Sequence, residues 1–458
     1  MKANKTDHAT LTGDFVDRVR ELRYATLPAA AVDVAKQVTL DGLAVMLAGA
    51  TEPLGVGRIS IEYVKAMGGA PQASVIGGGF KTSMLGAAYA NGTMAHALDY
   101  DNTWYPLNHP TSPTLPAILA IAEHHALSGE RVIEAIVAAF EVQGRLRLAA
   151  TGMETGSGFH KPGMTGTFGA TAAAARLLDL DREQTLMAFG LAGSRAGSIA
   201  INTGTMTKSS HSGHAARMGV ECGVLASMGW TASRDVFGRG GFFDTFFRGE
   251  GKPELLLQNF ASPLRMVDPG VGFKKHPSNY FTHRPIDAAL ALREQHGLAP
   301  HDIERVHVLF PRFDYVNRPA PRTGLDGKFS VQYTTAVALL DGEVTIDSFT
   351  NERRFAADVE ALLPRVALET DPAIPNDFDA MHTVVTVTLR DDRQFSQRVD
   401  KLSGWLGSPL TREQRLKKFH TCARRVLSRA AADRVVELVE RLETLRDVRA
   451  IMDIVRAG

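Results

Sequence analysis

Residues 163–180 read GMTGTFGATAAAARLLDL, and the stretches 187–200 (MAFGLAGSRAGSIA) and 213–230 (GHAARMGVECGVLASMGW) share their composition. All three carry helical patterns dense in Gly, Ala and Ser. Glycine weakens a helix interior by about 1 kcal/mol relative to alanine. Its frequency here needs a compensating gain, and small side chains supply one by letting helix axes approach closely. The three stretches predict a bundle of many helices, not a parallel sheet. Nothing there alternates strands with helices, no GxGxxG follows a strand, and no GxxxxGK[ST] occurs. A nucleotide cofactor is therefore unsupported.

Toward the N-terminus, residues 13–50 read as two amphipathic helices broken at Leu27-Pro28, and 57–67 as a third. Residues 73–79 are β-like, 84–98 helical, and 113–128 and 129–150 form two long Ala/Ile/Leu helices. Toward the C-terminus the character changes near residue 265. Residues 303–310 (IERVHVLF) and 383–389 (TVVTVTL) alternate as strands, and 393–399 pair with the latter across Asp391-Asp392. Helices are predicted at 283–297, 330–341 and 351–363, and amphipathic helix returns over 411–456. The expected fold is mainly α: a large all-helical domain (1–267) with a smaller α+β domain (268–400), which is an insertion if 401–458 rejoins the first bundle.

At 458 residues the chain is too long for one core. Its 51 basic and 50 acidic residues leave a net charge of +1, which argues against a nucleic-acid or membrane-surface footprint. The apolar run 42–50 is too short to span a bilayer, and the opening MKANKTDHATLTGDF lacks a signal-peptide core. Cys222 and Cys422 are the only cysteines and make no CxxC, so no thiolate metal site is expected. A reducing, cytoplasmic setting is.

Five stretches combine polar groups with Gly and Pro breakers. The first, 91–113 (NGTMAHALDYDNTWYPLNHPTSP), places Asp99 and Asp101 at i and i+2, then Thr103 and His109. Pro106, Pro110 and Pro113 force the chain out of helix there, which suits a site wall. The others are 158–166 with His160, 202–217 with Lys208, His211 and His214, 272–283 with Lys274 and Lys275, and 313–329 with Tyr315 and Arg318. Lysine and arginine hold carboxylates, so Lys208, Lys274, Lys275 and Arg318 are candidate anion contacts. His109 and His160 can pass protons near neutral pH. Helix starts after Gly163 and His211 would also favour anions. The plainer readings make Lys275 and Arg318 solvated surface, His96 and His283 packing groups, and Phe329 and Tyr333 core. His211 and His214 share a helix face, but no HExxH is present and the acids lie in another stretch, so no metal is expected. No GxSxG elbow appears, so nucleophilic hydrolysis is unsupported.

Five pieces occur together in order: AHALDYDNTW with NHPTS, GFHKPGMTGTFGA, GTMTKSSHSGHAARMG, FKKHPSNYFTHRPIDAA and KFSVQYTTAVALLDGEVTIDSF. In these the chain resembles the MmgE/PrpD family, which contains dehydratases, decarboxylases and epimerases of small polycarboxylates. The resemblance implies that the α+β domain is a lid, that the protein is a homodimer, and that the active site lies between the domains without metal or organic cofactor. The decarboxylase branch is similar at Asp99, Thr103, His109, His160, Lys208, Lys274 and Tyr315. We assign Asp99, His109, His160, Lys208 and Tyr315 catalytic roles, and Thr103, Lys274, Asn279, His211 and Arg318 substrate contacts. Asn279 departs from the pattern, because the family often carries His or Cys there and an amide has no titrating proton. The expected function is a cofactor-independent lyase acting on a small di- or tricarboxylate. An epimerase using the same site and a non-catalytic carboxylate-binding homologue are the alternatives.

Overall fold

A computed structural model describes residues 10–150 and 158–456. Residues 1–9, most of the stretch read above for a signal peptide, lie outside the described residues. The chain is mainly α with small sheets. It opens with α1 (Leu11–Glu21), α2 (Ala29–Ala50) and α3 (Val56–Met67), and Pro28 stands at the N-cap of α2. The β-like stretch reduces to a minimal hairpin, β1 (Ala73–Ser74) with β2 (Lys81–Thr82). Then follow α4 (Met84–Ala97), α5 (Leu115–His124), α6 (Gly129–Ala149), α7 (Lys161–Leu177), α8 (Arg182–Arg195), α9 (Met206–Ser227) and the short α10 (Phe242–Phe247).

The small residues do what their frequency predicted. Helix α9 packs against both α4 and α7. A Cβ added to Gly92 of α4 would lie 2.8 Å from the Gly213 Cα of α9, and one on Gly219 would lie 2.2 Å from the Ala170 Cβ of α7. Neither contact tolerates a side chain, so the three axes sit closer than Leu or Val would permit. This packing decides what meets at the helix ends. Helices α4 and α9 run antiparallel, which sets Asp99, just past α4, against Lys208 in the first turn of α9. Helices α7 and α9 run parallel, which sets His160, the N-cap of α7, beside His211.

The next unit contains α11 (His283–His296), β3 (Ile303–Phe310), α12 (Gly324–Gly327), α13 (Val331–Asp341), α14 (Asn351–Arg354), α15 (Ala357–Leu362), β4 (Val366–Thr370), β5 (Thr383–Leu389) and β6 (Gln394–Val399). The sheet order is β4-β3-β5-β6, with β5 antiparallel to both β3 and β6 and β4 parallel to β3. Strand β4 was not foreseen. It is an edge strand in which only Val366 is buried, so it shows no alternation to read. The single helix predicted over 351–363 is two, because Ala356 turns extended and starts α15.

Three last helices, α16 (Arg412–Ala423), α17 (Arg429–Glu440) and α18 (Arg449–Arg456), return to the first bundle. Lys418 of α16 pairs with Asp41 of α2 at 2.6 Å, both buried. Most of the apolar interior forms two clusters. The larger runs from Phe15 to Phe273, takes in Ile346 and resumes from Leu410 to Val455, and the smaller draws on residues from Tyr280 to Trp405. No helix among the described residues is long and apolar enough to cross a membrane.

Candidate active site

Asp99 occupies the place where helices commonly end on glycine, with φ +48°. Holding a non-glycine residue in the left-handed region costs on the order of 1 kcal/mol. The carboxylate offsets this through its contacts. Oδ1 accepts from Lys274 Nζ at 2.6 Å and Oδ2 from Lys208 Nζ at 3.0 Å, and the Asp99 carbonyl also accepts from Lys274 at 2.6 Å. Burial disfavours its charge, but Lys208, Lys274, His109 and His96 outweigh burial and hold the carboxyl well below the usual range.

Asp101 stands between two imidazoles. Its Oδ1 is 3.0 Å from His96 Nδ1, and its Oδ2 is 3.0 Å from His109 Nδ1, close but not aligned as a hydrogen bond. Burial again opposes its charge, and His109 and His96 reverse the balance, so it too ionises well below the usual range. Burial lowers His96 to about 4 against the pull of Asp101. His96 is therefore neutral at pH 7 and donates its Nδ1 proton to Asp101. His109 Nε2 lies 3.7 Å from Asp99 Oδ1, so this imidazole touches both acids.

His160 and His211 face each other with Nδ1 atoms 3.0 Å apart, one donating to the other. Burial and Lys208 hold His160 well below the histidine range, and the same causes lower His211 to about 4. His214 instead approaches the Arg195 carbonyl at 3.3 Å, so the i, i+3 pair does not converge on one ion. A different grouping, His96, Asp101 and His109, brings its donor atoms within 4.8 Å of one another.

Four of these groups, His109, His160, Lys208 and Lys274, border a cavity of about 570 Å³. The helical side contributes Thr103, His109, His160 and Lys208, and the opposite side Lys274, Asn279, Tyr315 and Arg318. Eight of the ten residues assigned from sequence thus line one hollow. The other two stand behind it, Asp99 under the lysines and His211 behind His160. The Thr103 and Gly272 backbones exchange two hydrogen bonds of 3.0 and 2.7 Å, which stitch the two sides together. Asn279 Oδ1 accepts from Phe281 N at 3.1 Å, so the side chain has only its NH₂ to offer the cavity. Tyr315 is about 39 % exposed as a residue, yet burial of its hydroxyl and the charge of Asp99 raise its pKa, with Asn279 opposing through a hydrogen bond. The phenol therefore stays protonated at neutral pH and can donate a hydrogen bond. Arg318 is committed to Asp326 and to the Tyr315 carbonyl at 2.8 Å, and its guanidinium lies 5.4 Å from the Phe329 ring. Lys275 turns away to Asp287 at 2.9 Å, His283 packs in the interior as read, and Phe329, read as core, is buried and lines the cavity too.

Family models for the MmgE/PrpD N-terminal domain and the MmgE/PrpD C-terminal domain match residues 13–254 and 276–444. The chain belongs to the MmgE/PrpD family. Cis-aconitate decarboxylase of Mus musculus is 32 % identical over 96 % of this chain and 92 % of its own length. The Homo sapiens protein of the same name is 31 % identical over 98 % of this chain and 95 % of its own. 2-Methylcitrate dehydratase of Salmonella typhimurium is 27 % identical over 84 % of each. All three relatives are named as lyases.

In this MmgE/PrpD chain, sequence reasoning passed over several site groups. His96 is the hydrogen-bonded core group it was read as, but its partner is Asp101, which was noted without a role and which also stands beside His109. Buried Arg147 on α6 donates to the Leu107 carbonyl at 3.3 Å and lines the cavity. The signal available for it was an arginine pair, Arg145 and Arg147, among the apolar residues that close α6. Buried Lys328 sits beneath the site.

Proposed function

We propose that this chain is a lyase that removes CO₂ or water from a small tricarboxylate-like acid, using its own side chains as acids and bases. The observation that carries the reading is the convergence of Lys208 and Lys274 on Asp99 at a cavity wall shared with His109 and His160. Of its three N–H groups, Lys208 gives one to Asp99 and Lys274 gives two, so both retain donors for a substrate carboxylate. Those positive charges would stabilise the enediolate-like carbanion left when CO₂ departs or a proton is removed beside a carboxylate. Neutral His160 and the acid-braced His109 are the groups to deliver or accept that proton. Asn279 has no titrating proton, and Tyr315, whose pKa is raised, suits a hydrogen bond to the substrate, so the proton comes from the histidine side. The relatives named cis-aconitate decarboxylase match nearly the whole chain, which favours decarboxylation as the first reaction to try.

The division into residues 1–267 with 401–458 and a lid over 268–400, the homodimer and the cytoplasmic setting belong to this proposal. Sedimentation velocity tests the dimer. Incubating cis-aconitate and 2-methylcitrate with the protein in D₂O tests the chemistry. Release of CO₂ or loss of water supports a lyase. Deuterium entering an unchanged carbon skeleton makes the protein an epimerase instead.

A further inference from the structure

A helix leaves its last carbonyls unpaired, and they form the negative end of its dipole. At the end of α4 and just beyond it, side chains from distant parts of the chain take these groups. His96 O accepts from Ser209 Oγ at 3.4 Å, Ala97 O from Lys328 Nζ at 3.0 Å, Asp99 O from Lys274 Nζ at 2.6 Å and Tyr100 O from Lys418 Nζ at 2.8 Å. Three buried lysines around one turn exceed what capping requires, since a glycine there would suffice. The turn they hold is the left-handed one at Asp99.

Two of the three lysines have another evident task. Lys274 binds the Asp99 carboxylate and borders the cavity, and Lys418 pairs with Asp41. Lys328 is about 2 % exposed and, among the described residues, makes no direct ion pair, the nearest acidic influences being the buried Glu52 and Asp99. Its polar contact is the Ala97 carbonyl, and the Phe349 ring lies 5.9 Å away. Burying such a group is costly unless its position serves something. Its backbone is also tied to the site. The Lys328 carbonyl accepts from Asn279 N at 3.0 Å, and its neighbour Phe329 lies under Lys208 at 5.2 Å.

We infer that Lys328 is a positioning residue: by holding the Ala97 carbonyl it fixes the left-handed turn at Asp99, and through Asp99 it sets the spacing of Lys208 and Lys274. The inference uses the proposed function for its kinetic readout only. Lys328→Met keeps chain length and removes the donor, and Lys328→Gln falls short of the carbonyl and serves where the Met variant does not fold. At a temperature where circular dichroism shows the variant folded, kcat is expected to fall about 10- to 100-fold, as small displacements of catalytic groups do. Lys328→Arg, which retains donors, should recover part of the loss. A crystal structure of the same variant should show Asp99 out of the left-handed region or parted from one lysine. Wild-type kcat with Asp99 unmoved would make Lys328 a packing residue and overturn the inference. If the wild type turns over none of the acids, the lyase reading fails, and the position of Asp99 in the variant alone decides the role of Lys328.

Discussion

The two walls of the cavity hold their polar groups differently. On the helical wall, Asp99 and Asp101 are buried and ion-paired, and their partners Lys208, His96 and His109 come from the ends of close-packed helices and the loop between them. On the opposite wall, Lys274 alone shares that buried pairing through Asp99, while Asn279 gives its oxygen to Phe281 N, Arg318 is largely committed to Asp326, and Tyr315 is partly exposed. Burial with paired charge is what fixes protonation states, so the first wall is equipped for proton transfer. Polar groups already engaged by neighbours and partly open to solvent, as Asn279, Arg318 and Tyr315 are, suit admission and placement of a ligand. Lys274 apart, the comparison therefore separates chemistry from recognition across one hollow.

Substitutions on the helical wall should break that separation most visibly. Lys208→Ala and His109→Gln are each expected to lower kcat by about 10²–10⁴ with folding intact, measured on whichever acid the wild type consumes. Opposite-wall variants should fall mainly on KM. Tyr315→Phe is expected to cost about tenfold in kcat/KM, consistent with loss of one buried hydrogen bond of about 1.5 kcal/mol. A loss in kcat as large as that of His109→Gln would move Tyr315 to the chemical wall. Arg318→Ala, already neutralised by Asp326, should raise KM by only about two- to fivefold, in line with a partly screened ion pair.

The same burial predicts acid sensitivity. His96, His160 and His211 have folded pKa values below their ordinary value, His96 and His211 at about 4. The unfolded chain takes up these protons near pH 6.5 and the folded chain does not. Stability should therefore be full above about pH 6.5 and fall as pH drops toward 4, with a slope of up to about 1.4 kcal/mol per pH unit for each imidazole. Asp99 and Asp101 act lower, since their stabilisation is lost only below the ordinary carboxylate range. Thermal melts between pH 7 and 5 should show a falling midpoint, and His211→Gln should flatten it. A midpoint independent of pH over that window would contradict neutral buried imidazoles.

Much of this was legible before any coordinates. The Gly- and Ala-rich runs announced close helix packing because glycine within a helix needs a reason. The breakers around Asp99, His160, Lys208, Lys274 and Tyr315 marked where chain ends could meet. What stayed hidden depends on the third dimension. That the partner of His96 is Asp101, that Arg147 reaches the cavity from the last turn of α6, and that Lys328 reaches the end of α4 are facts of packing between segments 5 to more than 200 residues apart. Strand β4 was hidden for a local reason, because an exposed edge strand has no buried face to betray its period.

The separation of walls also implies where a polyacid sits. A second basic cleft of about 440 Å³ lies on the other side of Lys274, lined by Lys275, Lys417, Lys418, Arg424 and Arg425. A crystal structure with a non-reacting tricarboxylate such as citrate distinguishes the two hollows. The account predicts carboxylates within hydrogen-bond distance of Lys208 and Lys274, with His109 and His160 facing the carbon skeleton. Citrate bound in the second cleft, with the His109–His160 cavity empty, would contradict it.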